Sequence, residues 1–338
     1  MIMKKFIAII LSLVLVLSMT ACGAKEAAPA ETQAPEAASA ATELKVAIIQ
    51  QLDHSSLDEI REAIKAQLNA LAEPTNYTVT IEEYNGQNDT SMLTQIATQV
   101  VADEPDMIIP IATLAAQYAV LAAEGTDIPI VYAAISDPEG AGLVGLPNVT
   151  GVSDALNTPF ILDMMLAAQP DVKTVGLLYS TSEINSEAPI AEAKEYLDAK
   201  GIAYIEKTGT TSGEITEAAA SLVGRVEAVF TPTDNAIMNV APTVAETLTK
   251  AGIPHYTGAD SFVQAGSFTT CGVNYTELGT KSADIAFDIL MGGEIGEFVV
   301  MDGGIITVNT DTAAAIGVDY EVFNTMANTV NAVTTVVD

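Results

Sequence analysis

From residue 44 onward, short runs of apolar, β-branched residues alternate with amphipathic helical stretches, and this alternation leaves few folds open. The spacing predicts strands at Leu44–Gln50, Val79–Tyr84, Asp106–Ile111, Ile128–Ala133 and Val149–Val152. A second series follows at Thr174–Tyr179, Ala203–Lys207, Ala228–Phe230, Pro254–Thr257 and Phe268–Gly272. Among the intervening helices, Leu57–Ala72 is the clearest. It sets Leu57, Ile60, Ile64, Leu68 and Leu71 on one face, and Ser56 with Glu59 reads as a capping box. Strands that alternate with helices form parallel sheets covered on both faces. Two series of five therefore predict an α/β chain with two doubly wound, Rossmann-like lobes. In such open sheets the ligand crevice lies beyond the carboxyl ends of the strands. The loops there are Gln51–Ser56, Ala112–Ala115, Ser136–Pro138, Ser180–Ser186, Pro232–Asn235 and Ala259–Ser261. A cleft between two lobes that face each other through these loops is the expected site.

Charge and composition narrow the function. The 338 residues include 13 basic and 44 acidic side chains, for a formal net charge of −31. Nucleic-acid binding needs clustered Lys and Arg, so this charge argues against it. It argues equally against adhesion to anionic lipid through a basic surface. Two cysteines and two histidines are too few for an ordinary zinc site, and no metal is expected. No P-loop or G-x-S-x-G motif occurs, and neither a cofactor nor a catalytic residue is expected.

The first 22 residues form a secretory signal: Lys4 and Lys5, an apolar run from Phe6 to Leu17, then small residues up to Cys22. The run is too short to span a membrane. Residues 23–43 are rich in Ala, Glu, Pro, Ser and Thr, a composition that cannot offset the entropy of ordering, and a flexible tether is expected. The remaining cysteine, Cys271, reads as a buried apolar residue.

The segments at the predicted loops resemble one family. They are IIQQLDHSSLDEI (48–60), IIPIATLAAQ (108–117), AAISDPEGAGLV (133–144), NVTGVSD (148–154), VGLLYSTSEINS (175–186), TPTDN (231–235), DSFVQAG (260–266) and GVNYTELG (272–279). In register over nearly all of the folded part, they resemble the substrate-binding proteins of bacterial ABC importers with the type I periplasmic-binding fold, most closely the tryptophan/tyrosine type. The end of the signal resembles a lipobox, in which Cys22 would carry lipid.

The resemblance implies an extracytoplasmic, lipid-anchored monomer that captures a small solute and delivers it to a permease with its ATPase. An amino acid, aromatic or branched, is the favoured solute, with a sugar or nucleoside as the alternative. A ligand-sensing module for a membrane receptor would look the same. The resemblance also implies roles for the loops. Ala112 and Thr113 would open a helix whose amides receive a carboxylate, or Thr113 is an ordinary cap. Asp137, beside Ser136, would take an ammonium group or form an Asx turn. Asn185 and Ser186 would close over the ligand. Thr233, Asp234 and Asn235 would form a ligand cluster, or Asp234 is an N-cap. Asp260 would be a second ammonium partner or a structural carboxylate, and His54 would contact ligand or stay in solvent. The implied lobes are 44–154 with 276–294, and 155–275 with 295–323, followed by a tail at 324–338.

Overall fold

A computed structural model describes residues 41–336. The signal segment 1–22, its Cys22 and the tether as far as residue 40 lie outside the described residues. The strands are β1 (Thr42–Gln50), β2 (Tyr77–Asn85), β3 (Met107–Ile111), β4 (Ile130–Ala133), β5 (Val149–Ser153), β6 (Thr174–Tyr179), β7 (Ala203–Thr208), β8 (Ala228–Thr231), β9 (His255–Thr257), β10 (Thr269–Gly272), β11 (Val299–Val300), β12 (Ile305–Asn309) and β13 (Thr329–Val333). They form two sheets, ordered β2-β1-β3-β4-β5-β11 and β7-β6-β8-β9-β10-β12-β13. The first is wholly parallel. In the second, only the β10–β12 pair is antiparallel.

Helices cover both faces of each sheet, which is why the central strands read as unbroken apolar runs: every residue of β3, MIIPI, is buried. Helices Ser55–Ala72 and Tyr275–Leu290 pack together on one face of the first sheet. Ile60, Ile64 and Leu68 are fully buried there, each contributing about 1.5–3 kcal/mol. The apolar core continues from this layer into the second lobe through Tyr275, Val273 and Phe262.

The chain crosses between the sheets after β5, again between β10 and helix Tyr275–Leu290, and again between β11 and β12. Four expectations need correction. The tether ends earlier than residue 43, because Thr42 and Glu43 already pair with Tyr77 and Thr78. Segment 295–323 does not belong wholly to the second lobe: Val299 and Val300 extend the first sheet beside Val152 and Ser153, and the last crossing lies in 301–304. Residues 324–338 are no mere tail, since β13 pairs in parallel with β12 and extends the second sheet. Finally, Ser56 and Glu59 form no capping box. The helix N-cap is His54, with no side-chain cap. Ser56 Oγ instead accepts from Ser261 N across the lobes at 3.2 Å. Glu59 accepts from Thr276 N at 3.0 Å and from Thr276 Oγ1, capping the returning helix.

Candidate functional site

Strand order fixes where the site lies. β1 is flanked by β2 and β3, and β6 by β7 and β8, so each sheet reverses its winding at these pairs. Crevices open beyond the carboxyl ends of such pairs. The loops that leave them carry Gln51, Ala112, Ser180–Ser186 and Thr233–Asn235, and the two sets face each other.

Gln51 joins them. Its side chain is buried, accepts from Leu114 N at 3.0 Å, and donates to Asn88 Oδ1 at 2.8 Å and to Glu183 Oε1 at 3.0 Å in the other lobe. One amide of the helix start near Thr113 is thus already engaged by the protein. Next door, Gln50 donates to Leu52 O, Asp53 and Asp58 and accepts from Arg61, which fixes the loop carrying His54.

A second bridge crosses the cleft at Ser136. Its Oγ donates to Asp154 Oδ1 at 3.0 Å and lies 2.8 Å from Thr233 Oγ1. A hydroxyl carries one proton, so if Ser136 gives it to the carboxylate, Thr233 must donate to Ser136. Burial pushes the Asp154 carboxyl up to about 6, against the opposing pull of that Ser136 bond.

Between these bridges lies a cavity of about 30 Å³. His54, Ala112, Ala134, Ser136 and Asp154 line it from one side, and Thr233, Asp234, Asn235, Ser261 and Phe262 from the other, with Tyr275 at the pivot. Ala112 and Ala134 end neighbouring strands with φ of 74° and 58°. Alanine rarely adopts this left-handed region, and such strain gathers at ligand sites. His54 is half-buried, with Nδ1 shielded and without a hydrogen-bond partner among the described residues, and burial pushes its imidazole down to about 4. It is neutral at pH 7. The Ser261 hydroxyl is likewise buried without a partner among the described residues.

Six of the expected residues therefore meet at one cavity: His54, Ala112, Ser136, Thr233, Asp234 and Asn235. Three stand behind it. Thr113 is buried at its helix start, Asn185 donates to Thr233 O at 2.6 Å, and Ser186 donates to Asp234 Oδ2 at 2.7 Å. Asp234 is also the N-cap for Ile237 N at 2.9 Å and accepts from Ser180 N at 2.6 Å. Two residues are not brought there. Asp137 accepts from Gly140 N at 2.9 Å, so it forms the Asx-type turn that its Pro138 and Gly140 favour. Asp260 opens a short helix on the pivot side, its Oδ1 buried without a partner among the described residues, and its neighbours Ala259, Ser261 and Phe262 reach the cavity in its place. Sequence reasoning missed Gln51, Glu183, Asp154, Ser261, Phe262 and Tyr275. Two adjacent glutamines ending an apolar strand were the one available signal.

Glu183 yields a first prediction. It is buried and accepts from Gln51 and from Asn235 Nδ2, the latter at 3.1 Å. Burial, then the nearby Asp234 charge, push its carboxyl up to about 8. A carboxyl raised above its unfolded value of about 4.3 contributes stability below that value and loses it as pH rises through the folded one. The melting temperature should therefore fall between pH 5 and pH 8.5. Asp154 and Asp260, each pushed up to about 6 by burial, should contribute to the acid half. Glu183→Gln should flatten the alkaline half in a pH series of thermal melts. An unchanged slope would assign that half to other groups.

Two α/β lobes, three chain crossings and a polar cavity between facing loops define a two-lobed solute-binding protein of the type I periplasmic-binding fold. The sequence profile described as "ABC transporter substrate binding protein" matches residues 45–329, and the chain belongs to that family. A tyrosine-binding protein of Clostridioides difficile (strain R20291) is 32% identical over 321 residues, 93% of this chain and 92% of the relative. The crystal structure of an ABC domain from Streptococcus pneumoniae in complex with L-Trp is 30% identical, with a TM-score of 0.80 over 86% of this chain and 100% of that one. The ligand-free, open structure of a substrate-binding protein with adhesive properties from Clostridium difficile is 31% identical, with a TM-score of 0.66 over 87% of this chain and 100% of that one. At nearly equal identity the overlay is better on the ligand complex than on the open form, which agrees with the bridges closed across the cleft here.

Proposed function

We propose that this substrate-binding protein captures an amino acid with an aromatic side chain between its lobes and delivers it to the permease and ATPase of an ABC importer. It works on the outer side of a bacterial cell membrane, as a monomer held there by lipid on Cys22. Its role is binding and release, not catalysis. The observation that carries the reading is the small polar cavity closed by hydrogen bonds from both lobes, with Phe262 and Tyr275 on its wall. The tyrosine-binding relative and the L-Trp complex support the choice of solute.

Among the described residues no arginine lines the cavity. Arg61 is engaged with Asp53, Asp58, Glu62 and Glu83 at 3.1–3.5 Å. Ala112 N already donates to Ala133 O at 3.0 Å, so a ligand carboxylate is received by amides and hydroxyls at Thr113, Thr233 and Asn235, with Ala112 shaping the turn beside them. Ser136 and His54 complete the contacts, while Asn185, Ser186 and Asp234 hold the loop that closes over it. Binding requires the lobes to part, since the closed cavity is far below the size of ordinary metabolite pockets, about 300–1,000 Å³.

A thermal-shift screen of amino acids, sugars and nucleosides tests the reading. L-tyrosine or L-tryptophan at 100 times its Kd should add about 2.7 kcal/mol of stability. A response to a sugar or nucleoside alone would overturn the amino-acid assignment.

A further inference from the structure

We infer that Asp154 receives the cationic head of the ligand, at the point where the chain first leaves the first lobe; this rests on the amino-acid reading of the cleft. The carboxylates near the cavity differ in what they already bind. Asp234 lines it, but Ser180 N, Ser186 Oγ and Ile237 N occupy its two oxygens at 2.6–2.9 Å. Glu183 has Gln51 on one oxygen and Asn235 on the other. Asp137 is in its turn with Gly140, and Asp260 does not reach the cavity wall.

Asp154 differs from all of these. It lines the cavity, it is buried, and its one side-chain donor among the described residues is Ser136. Among the described residues no Lys or Arg lines the cavity and no salt bridge involves Asp154. The neighbouring His54 is neutral. A buried carboxylate without a counter-ion is costly, and a ligand ammonium supplies the missing charge.

A second, independent feature marks the same wall as one that a ligand completes. The Ser261 hydroxyl is 2% exposed and His54 Nδ1 is shielded, and neither has a hydrogen-bond partner among the described residues, although both residues line this cavity. Buried polar atoms are nearly always paired, so two orphans on one cavity point to a missing partner. Position adds a mechanical consequence. β5 ends at Ser153, so Asp154 is the first residue of the first crossing, and Tyr275 opens the helix that follows the second. A cation bound at Asp154 sits at the pivot, where it holds the lobes together rather than one loop.

Calorimetry on the purified full chain with L-tyrosine, L-tryptophan and 3-(4-hydroxyphenyl)propionate, which lacks the amino group, tests this. Wild type should bind an amino acid at least about 30-fold more tightly than the deaminated acid, as truncating one partner of a buried charge pair does. Asp154→Asn should weaken amino-acid binding by a similar factor while changing the deaminated acid by less than about threefold, so the gap between the two ligands closes. A merely structural role for Asp154 would weaken both ligands alike and leave the gap open. Asp137→Asn should leave the gap unchanged. An Asp154→Asn protein that still distinguishes the two ligands overturns the inference and leaves the amino-acid reading standing. Absence of any amino-acid binding to wild type overturns both.

Discussion

Asp234→Ala should destabilise the protein by about 3–5 kcal/mol and detach the loop that closes the second lobe over the cleft. The Asp234 carboxylate is fully buried and ties three parts of the chain together: Ser180 N at the end of β6, Ser186 Oγ in the following loop, and Ile237 N in its own helix. Alanine leaves two buried amides and one hydroxyl without an acceptor, at about 1–3 kcal/mol each. The total is smaller than that sum, because removal also ends the desolvation of the carboxylate. Since the first term involves three donors and the relief only one charge, the loss wins. Asp234→Asn should fall between, because one oxygen remains for at least one donor while the new amide group faces another. Thermal melts at pH 7 check the order, at about 2–4 °C per kcal/mol in a domain of this size. An alanine variant within about 1 kcal/mol of wild type would show that water replaces the carboxylate and that the loop does not depend on it. Ligand affinity should fall with stability, since Asn185 and Glu183 lie on the same loop.

This tie also shows what a sequence can and cannot display. A Thr-Asp-Asn between a strand and a helix reads as an N-cap, and Asp234 does cap Ile237. Its second oxygen serves Ser180, 54 residues away, which no local pattern encodes. The strands were legible because their apolar, β-branched runs suit a sheet buried on both faces. β11 and β13 were not, because a two-residue strand and a largely exposed edge strand owe their pairing to neighbours already in place. The loops of the site followed from topology, but the residues that point into it depended on backbone conformation. Ala112 and Ala134 turn the chain with positive φ, and nothing in their side chains announces it. Asp137 illustrates the converse. A Cβ at Gly140 would lie 2.2 Å from Asp137 Oδ2, so the Asp-Pro-Glu-Gly run specifies a turn, and that signal was legible. The resemblance implies Asp137 as the ammonium partner and gives no role to Asp154, the last residue of NVTGVSD.

Gly279→Val should prevent stable folding, and Gly279→Ala should cost about 2–4 kcal/mol despite alanine's better helix propensity. Gly279 sits where helix Tyr275–Leu290 crosses helix Ser55–Ala72. A Cβ there would lie 2.5 Å from Ile60 O, 2.7 Å from Ala63 Cβ and 3.1 Å from Ile60 Cα. Two of these atoms are backbone, so no side chain can rotate out of the way, and the helices must separate. Replacing glycine by alanine inside a helix gains about 1 kcal/mol, whereas overpacking a close contact costs about 1–3 kcal/mol and more where backbone is the obstacle. Gly213 supplies the control. It lies in the first turn of helix Ser212–Leu222 with nothing within 4 Å of its Cβ position, so Gly213→Ala should stabilise by about 0.4–1 kcal/mol. The same chemical change is thus expected to have opposite signs at the two sites, which denaturant titration can read. The Gly279 effect should extend to the cleft, because this helix begins at Tyr275 on the cavity wall and is capped by Glu59 from the helix it would be pushed away from. In Gly279→Ala, amino-acid affinity should therefore fall with stability. A variant with wild-type stability would mean that the two helices do not approach as closely as the Ile60–Gly279 contact requires.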